Sequence, residues 1–172
     1  MASRHKTYTP AYRIVSQRYP PFDGSGAHRW GSRWISPGRW VVHAAETYAL
    51  AVLENLVHWQ SSFLPPDLVC VEVRIPNEVK QERLDRIDAP SLLENDYTAS
   101  RAIGDAWYDR GETAVLWVPS IASPYESNIL FNPAAPRLLE NRRRRSETSA
   151  SGSPAPHQSL LMPWTGAGTA RN

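Results

Sequence analysis

The chain has 172 residues, 41% of them hydrophobic and 21% charged, with a formal net charge of +2 and one cysteine. That length suits one domain with its own core, and a lone cysteine excludes a disulfide framework and a cysteine-built metal site. The basic surplus sits in Arg142–Arg145 and Arg171 while residues 1–140 are mildly acidic, which argues against a nucleic-acid-binding domain.

No apolar run is long enough to span a membrane, and the opening MASRHKTYTPAYRIV lacks the apolar stretch of a secretory signal, so the expected location is the cytoplasm. Tyr8 to Val15 reads as a first strand with Tyr12 and Ile14 inward and Arg13 within it. Pro20 to Gly26 breaks regular structure, and its Gly-Ser-Gly is too short for a phosphate loop. The stretch Gly31–His58 begins turn-rich, continues as a strand at Trp40–His43, and becomes helical from Thr47. Leu50, Leu53, Glu54 and Val57 fall on one helical face, with Ala49, Val52 and Leu56 as a second apolar stripe. This pattern predicts a helix enclosed on most sides.

Glu54 is the anomaly in that helix, because an unpaired carboxylate among leucines and valines costs several kcal/mol. Two readings stay open: it pairs with an arginine, or it faces a cleft and works there. Arg29, Trp30, Arg33, Trp34, Arg39 and Trp40 lie just upstream. After Pro65-Pro66, residues 67–75 form the clearest strand, with Val69, Val71, Val73 and Ile75 on a core side and Glu72 and Arg74 as a pair. Residues 76–97 read as a surface excursion with at most one helical turn. Thr98 opens a helix to about Asp109, burying Ala99, Ala102, Ile103, Ala106 and Trp107, and Gly111 ends it. Thr113–Val118 and Asn128–Pro133 are further strands. Cys70 reads as a small core residue. The expected organisation is a domain over residues 1–140 and a basic, low-complexity tail over 141–172 whose composition favours disorder.

Several separated segments together resemble the RES domain, the toxin half of RES–Xre toxin–antitoxin pairs. They are Tyr12-Arg13, Phe22-Asp23-Gly24-Ser25-Gly26-Ala27, Gly31-Ser32-Arg33-Trp34 with Ser36-Pro37-Gly38, and Val41-Val42-His43-Ala44-Ala45. Ala49–Glu54, Leu56-Val57-His58, Val118-Pro119-Ser120, and Glu126-Ser127-Asn128 through Asn132-Pro133 complete the set. The family's Arg, Glu and Ser map onto Arg33, Glu54 and Ser120. The resemblance implies an α+β fold, a small mixed sheet with helices similar to ADP-ribosyltransferases. It implies destruction of NAD⁺ by cleavage of the nicotinamide–ribose bond, with water or inorganic phosphate as acceptor. It also implies a helix-turn-helix antitoxin of the Xre type, and a homodimer within the toxin–antitoxin complex.

On that reading Arg33, Glu54 and Ser120 are the catalytic candidates, and Arg13, Arg33, His43 and Ser120 the NAD⁺-binding ones. The chemistry suits these residue types. A carboxylate stabilises an oxocarbenium-like ribose, and arginines fork onto phosphates. No prosthetic group and no metal are expected. Read without the resemblance, Arg33 pairs with Glu54, Ser120 is a turn residue, Arg13 is a clamp, and Trp30, Trp34 and Trp40 are core.

Two departures stand out. His43 occupies the place where the family carries tyrosine, and a charged imidazolium would repel nicotinamide, predicting weakened or pH-dependent cleavage. Pro136-Arg137-Leu138-Leu139 arrives early for the family's closing strand. Two other functions compete: a protein ADP-ribosyltransferase, disfavoured by Val52 where a second acid would stand, and a weakened RES-like module that only binds its antitoxin.

Overall fold

The structure, a computed structural model, describes residues 7–59, 67–85 and 96–135. Nine elements follow in chain order: β1 (Tyr8–Ser16), α1 (Ser25–Trp30), β2 (Val42–Ala45), α2 (Tyr48–Trp59), β3 (Leu68–Pro76), β4 (Gln81–Arg83), α3 (Thr98–Arg110), β5 (Val115–Pro119) and β6 (Ser127–Phe131). The strands make one six-stranded sheet in the order β3-β1-β2-β6-β5-β4. Only β4 with β5 is parallel; the other neighbouring pairs are antiparallel. The expected α+β class holds.

Strand alternation assigns the two faces. One carries Ala11, Val42, Ala44, Val73, Ile75, Val115, Trp117, Ile129 and Phe131, all buried together. On the other, Leu116, Val118 and Leu130 lie under Trp34, Ile35, Val41 and Trp107, so α3 and the segment before β2 cover the β5–β6 half. Ala45, with Tyr12 and Ile14, lies under Leu50 and Ala51, so α2 covers the β1–β2 half. β5, buried at every residue, reads as a continuous apolar run because both its faces are covered.

Several expectations change. Helix α2 lies mainly on β1 and β2, which leaves Tyr48, Leu53 and Val57 exposed at 47%, 37% and 60%. Its inward stripe is Leu50 and Ala51, with the half-buried Glu54 next along it. On β3 only Val73 and Ile75 are buried, because it is an edge strand and Val69 and Val71 are less covered. The Glu72–Arg74 pair forms at 2.9 Å. Trp34 is core, whereas Trp30 is 75% exposed and Trp40 stacks on His28 with ring centroids 4.4 Å apart. Cys70 is half-buried beside Ile14 on β1. The strand β4 and the short α1 were not expected; both are too brief to show periodicity. The Pro65-Pro66 stop, the Pro136–Leu139 segment and the 141–172 tail lie outside the described residues.

Helix α3 buries Ser100, Gly104 and Trp107, not the alanines or Ile103. The Asp96 carboxylate accepts from the Thr98 amide and hydroxyl at 2.9 and 2.6 Å, and Gly111 closes the helix in the left-handed region at φ 62°. The buried face is set by backbone contact: a Cβ on Gly104 would sit 1.8 Å from the Trp34 carbonyl oxygen. Gly104→Ala therefore forces α3 away from the 31–36 segment. Overpacking of this kind costs about 1–3 kcal/mol, so the thermal midpoint is expected to fall by roughly 3–10 °C. An unchanged midpoint in a scanning-calorimetry comparison would refute this close approach.

Candidate active site

Among the described residues the anomalous carboxylate is met by neutral donors and not by an arginine. Ser120 Oγ donates to Glu54 Oε1 at 2.7 Å, and Asn128 Nδ2 donates to the same oxygen at 2.6 Å. Glu54 Oε2 hydrogen-bonds no described residue. Hydrogen bonds to a charged group contribute about 1.5–3 kcal/mol each, enough to offset much of the cost of half-burying it. One oxygen is thus fixed to the sheet, and the other meets no hydrogen-bond donor among the described residues.

Local structure holds these three in place. Thr47 caps α2, its Oγ1 accepting from the Leu50 amide at 3.0 Å while its hydroxyl donates to Glu126. Those donors, Thr47 first and then Ser123, hold the Glu126 carboxyl below the usual range. Glu46 Oε2 accepts from the Ser127 amide at 2.9 Å. The β5–β6 turn is therefore tied to the start of α2 twice over. Ser120 is fully buried at the end of β5, and its Oγ also accepts from the Ser123 amide at 3.1 Å. Its hydroxyl positions Glu54.

His43 lies on the same face. Ala45 pairs with Asn128 and His43 with Leu130, so the His43 ring stands two residues along from Asn128, about 7 Å. Its Nε2 is 3.1 Å from Ser32 Oγ. Burial, then the Arg13 charge, hold its pKa down to about 4 from 6.5. The imidazole is therefore neutral near pH 7 in the folded chain.

The Arg33 segment is clamped by α3. Ser100 Oγ donates to the Arg33 carbonyl at 2.6 Å, Arg101 Nε to the Ser32 carbonyl at 2.8 Å, and the Ser36 amide to Asp105 at 2.9 Å. Arg39 bridges Asp105 at 3.3 Å and Asp109 at 2.7 Å. The Arg33 guanidinium lies over the Tyr97 ring, 4.2 Å from its centroid. Arg13 is placed differently: it leaves β1 on the face opposite Tyr12, which packs under α2. Its two Nη nitrogens donate to the carbonyls of His43 at 2.7 Å and Asp23 at 3.1 Å, and Nε is buried without a partner among the described residues. Burial lowers its pKa, with the Asp23 charge opposing. In this geometry Arg13 is a clamp between β2 and the loop before α1.

Structure thus brings Glu54 and Ser120 together, sets His43 beside them, and joins Arg33 to the group through Ser32. Asn128, Ser32, Tyr97 and Arg101 carry no role in the sequence reading. Asn128 stood in one of the quoted segments, whereas nothing local marks Arg101. Among the described residues no group of His, Cys, Asp and Glu could hold a metal ion, and no helix is long and apolar enough to cross a membrane. A separate cavity of about 480 Å³, lined by Thr9, Pro10, Glu46, Gln81, Glu82, Arg83 and Trp117, opens where Trp117 faces away from Glu54.

Residues 10–156 match the RES domain. The chain belongs to the RES domain family. The Prs ADP-ribosylating toxin of Sphingobium sp. is 38% identical over 119 residues, covering 66% of this chain and 73% of that protein. A Toxin Res of Photorhabdus laumondii is 33% identical over 127 residues, covering 72% and 81%. A chain in the crystal structure of the M. tuberculosis MbcT–MbcA toxin–antitoxin complex shares the fold, with TM-score 0.52 at 16% identity, covering 72% of this chain and 73% of that one. The RES match extends past Ala135 into residues outside those described.

The His43 pKa makes a stability prediction for this RES domain. Between pH 6.5 and 4 the unfolded chain binds the proton and the folded chain does not, so stability is full above 6.5 and declines as pH falls toward 4. The decline attributable to His43 is at most about 3 kcal/mol. Denaturant titrations from pH 7 to 4.5 should show a shallower slope for His43→Tyr than for the wild type. Equal slopes would mean that His43 is not held neutral by burial.

Proposed function

We propose that this chain is the toxin of a toxin–antitoxin pair and consumes NAD⁺ by cleaving the nicotinamide–ribose bond. The observation that carries this reading is the Glu54 carboxylate, with Oε1 fixed by Ser120 and Asn128 and Oε2 bonded to no described residue, in a RES domain. The N-glycosidic bond breaks heterolytically, its electron pair leaving with the ring as neutral nicotinamide. Positive charge develops on the ribose, and Glu54 Oε2 stabilises it. Water, losing a proton to solvent, or inorganic phosphate as its anion then adds to the anomeric carbon, giving ADP-ribose or its 1-phosphate. Ser120 and Asn128 act through Glu54, and neutral His43 presents an uncharged ring to the nicotinamide. Arg33 binds the dinucleotide's phosphates, and Arg13 fixes the strand that carries His43.

The names of relatives support the biological setting: Toxin Res proteins and a chain from a toxin–antitoxin complex are similar to this one. The proposed partner is an antitoxin, with an Xre-type helix-turn-helix protein as the specific candidate. A second reading, ADP-ribosyl transfer to a protein, is favoured by the name of the Sphingobium relative, an ADP-ribosylating toxin. Both readings use the same bond cleavage and differ only in the acceptor.

The test is NAD⁺ loss by the purified chain with and without phosphate, with products resolved by chromatography. Glu54→Gln keeps the size and removes the charge, and kcat is expected to fall at least 10²-fold. Asn128→Ala and Ser120→Ala should lower kcat more than they raise KM, since they act through Glu54. Wild-type activity matched by Glu54→Gln would defeat the assignment.

A further inference from the structure

We propose that Ser32 is a positioning residue that fixes the tautomer of His43. It leaves the imidazole Nδ1–H as the donor to the carboxamide oxygen of the departing nicotinamide, a contact that rests on the function proposed above. The backbone of Ser32 is tied on both sides: its amide donates to the Ile35 carbonyl at 2.7 Å, and its carbonyl accepts from Arg101 Nε at 2.8 Å. Its hydroxyl oxygen is held between the Trp34 amide at 3.2 Å and His43 Nε2 at 3.1 Å. An amide N–H only donates, so Ser32 Oγ is the acceptor there. The single hydroxyl proton then goes to His43 Nε2, the neighbour that can accept it.

A neutral imidazole has one proton to place, and burial with the Arg13 charge keeps this ring from taking a second near pH 7. With Nε2 accepting from Ser32, that proton sits on Nδ1. The tautomer decides what the ring can recognise. In NAD⁺ the cationic pyridinium withdraws electrons from its carboxamide. As the N-glycosidic bond breaks, the electron pair enters the ring and the carboxamide oxygen becomes a better acceptor. A donor at Nδ1 therefore gains strength as the reaction proceeds, which lowers the barrier more than it tightens binding. A lone pair at Nδ1 could take only the carboxamide N–H, a donor that weakens as the ring loses its charge. Fixing the tautomer beforehand means that no proton has to be rearranged at that moment. Asn128 and its partner Glu54 lie two residues along the β2–β6 register, so the groups serving the leaving ring and the ribose are neighbours on one face.

The tautomer can be read without turnover, by long-range proton–nitrogen correlation NMR of the full chain with labelled histidine at pH 7. The His43 signals are assigned by their loss in His43→Tyr. Nδ1 should carry the proton in the wild type and in Ser32→Thr, which keeps a hydroxyl, while Ser32→Ala should move His43 toward the Nε2–H form or a mixture of the two. An Nε2–H ring in the wild type, or an unchanged ring in Ser32→Ala, overturns the proposal. The substrate contact is read by comparing NAD⁺ with its thionicotinamide analogue, whose sulfur is a poor acceptor. On NAD⁺, Ser32→Ala should lower kcat about 3–10-fold with KM changed less than about threefold, the scale of one neutral hydrogen bond, and Ser32→Thr should restore it. On the analogue the loss should stay under about twofold. Equal losses on both substrates would mean that Ser32 only supports the 31–36 segment, and would overturn the contact. If the wild type cleaves neither substrate, the proposed activity fails and the contact with it, while the NMR result still decides whether Ser32 sets the tautomer.

Discussion

One carboxylate on an apolar helix sets the terms for the rest of this molecule. Glu54 stands one turn beyond Leu50, which is fully buried on the sheet, so its side chain cannot avoid the sheet surface. It needs donors there, and the ends of β5 and β6 supply them as Ser120 and Asn128. Those donors reach it only because the β5–β6 turn is fastened to the start of α2 through Thr47–Glu126 and Glu46–Ser127. Helix, turn and strand ends therefore form one cooperative unit. Both donors converge on a single oxygen, which stops rotation of the carboxylate and leaves its second oxygen in a defined direction. That is the preorganisation a charge-stabilising group needs, since nothing has to move as charge develops.

The second unit is built from α3 and the segment before β2, and it solves a different problem. Residues 31–36 have no regular structure, so their backbone polar groups need partners from outside. Helix α3 provides these with Ser100, Arg101 and Asp105, and Gly104 lets the Trp34 carbonyl approach where any side chain would collide. A polar helix face is here a mould for a loop. The loop in turn presents Arg33 and passes contact on to His43 through Ser32. Burial and the nearby Arg13 charge keep that histidine uncharged, so a residue that departs from the family's tyrosine still offers a neutral ring.

How much of this was legible in the sequence depended on whether the signal was local. β1, β3, β5 and β6 could be read because alternating or continuous apolar runs, bounded by turn residues, are local to each strand. Glu54 announced itself through contrast with its apolar neighbours. Its partners did not: Ser120 and Asn128 are 66 and 74 residues away, and periodicity carries no information about contacts across a sheet. Helix α3 shows the same limit. Its alanines and Ile103 looked like the core face, yet the true face is Ser100, Gly104 and Trp107, chosen by a loop 67 residues upstream. Helix α2 looked enclosed because it is apolar all round, but a hydrophobic pattern reports what a helix could bury and not how many neighbours are there to cover it. The protonation state of His43 could not be read from the sequence for the related reason that a pKa belongs to an environment and not to a residue type.

The most direct test of the account is a crystal structure of Glu54→Gln with NAD⁺ bound. The nicotinamide ribose is expected against residue 54 and Asn128, the nicotinamide beside His43, and the phosphates toward Arg33. NAD⁺ seated instead in the cavity of Thr9, Glu46, Arg83 and Trp117 would contradict it.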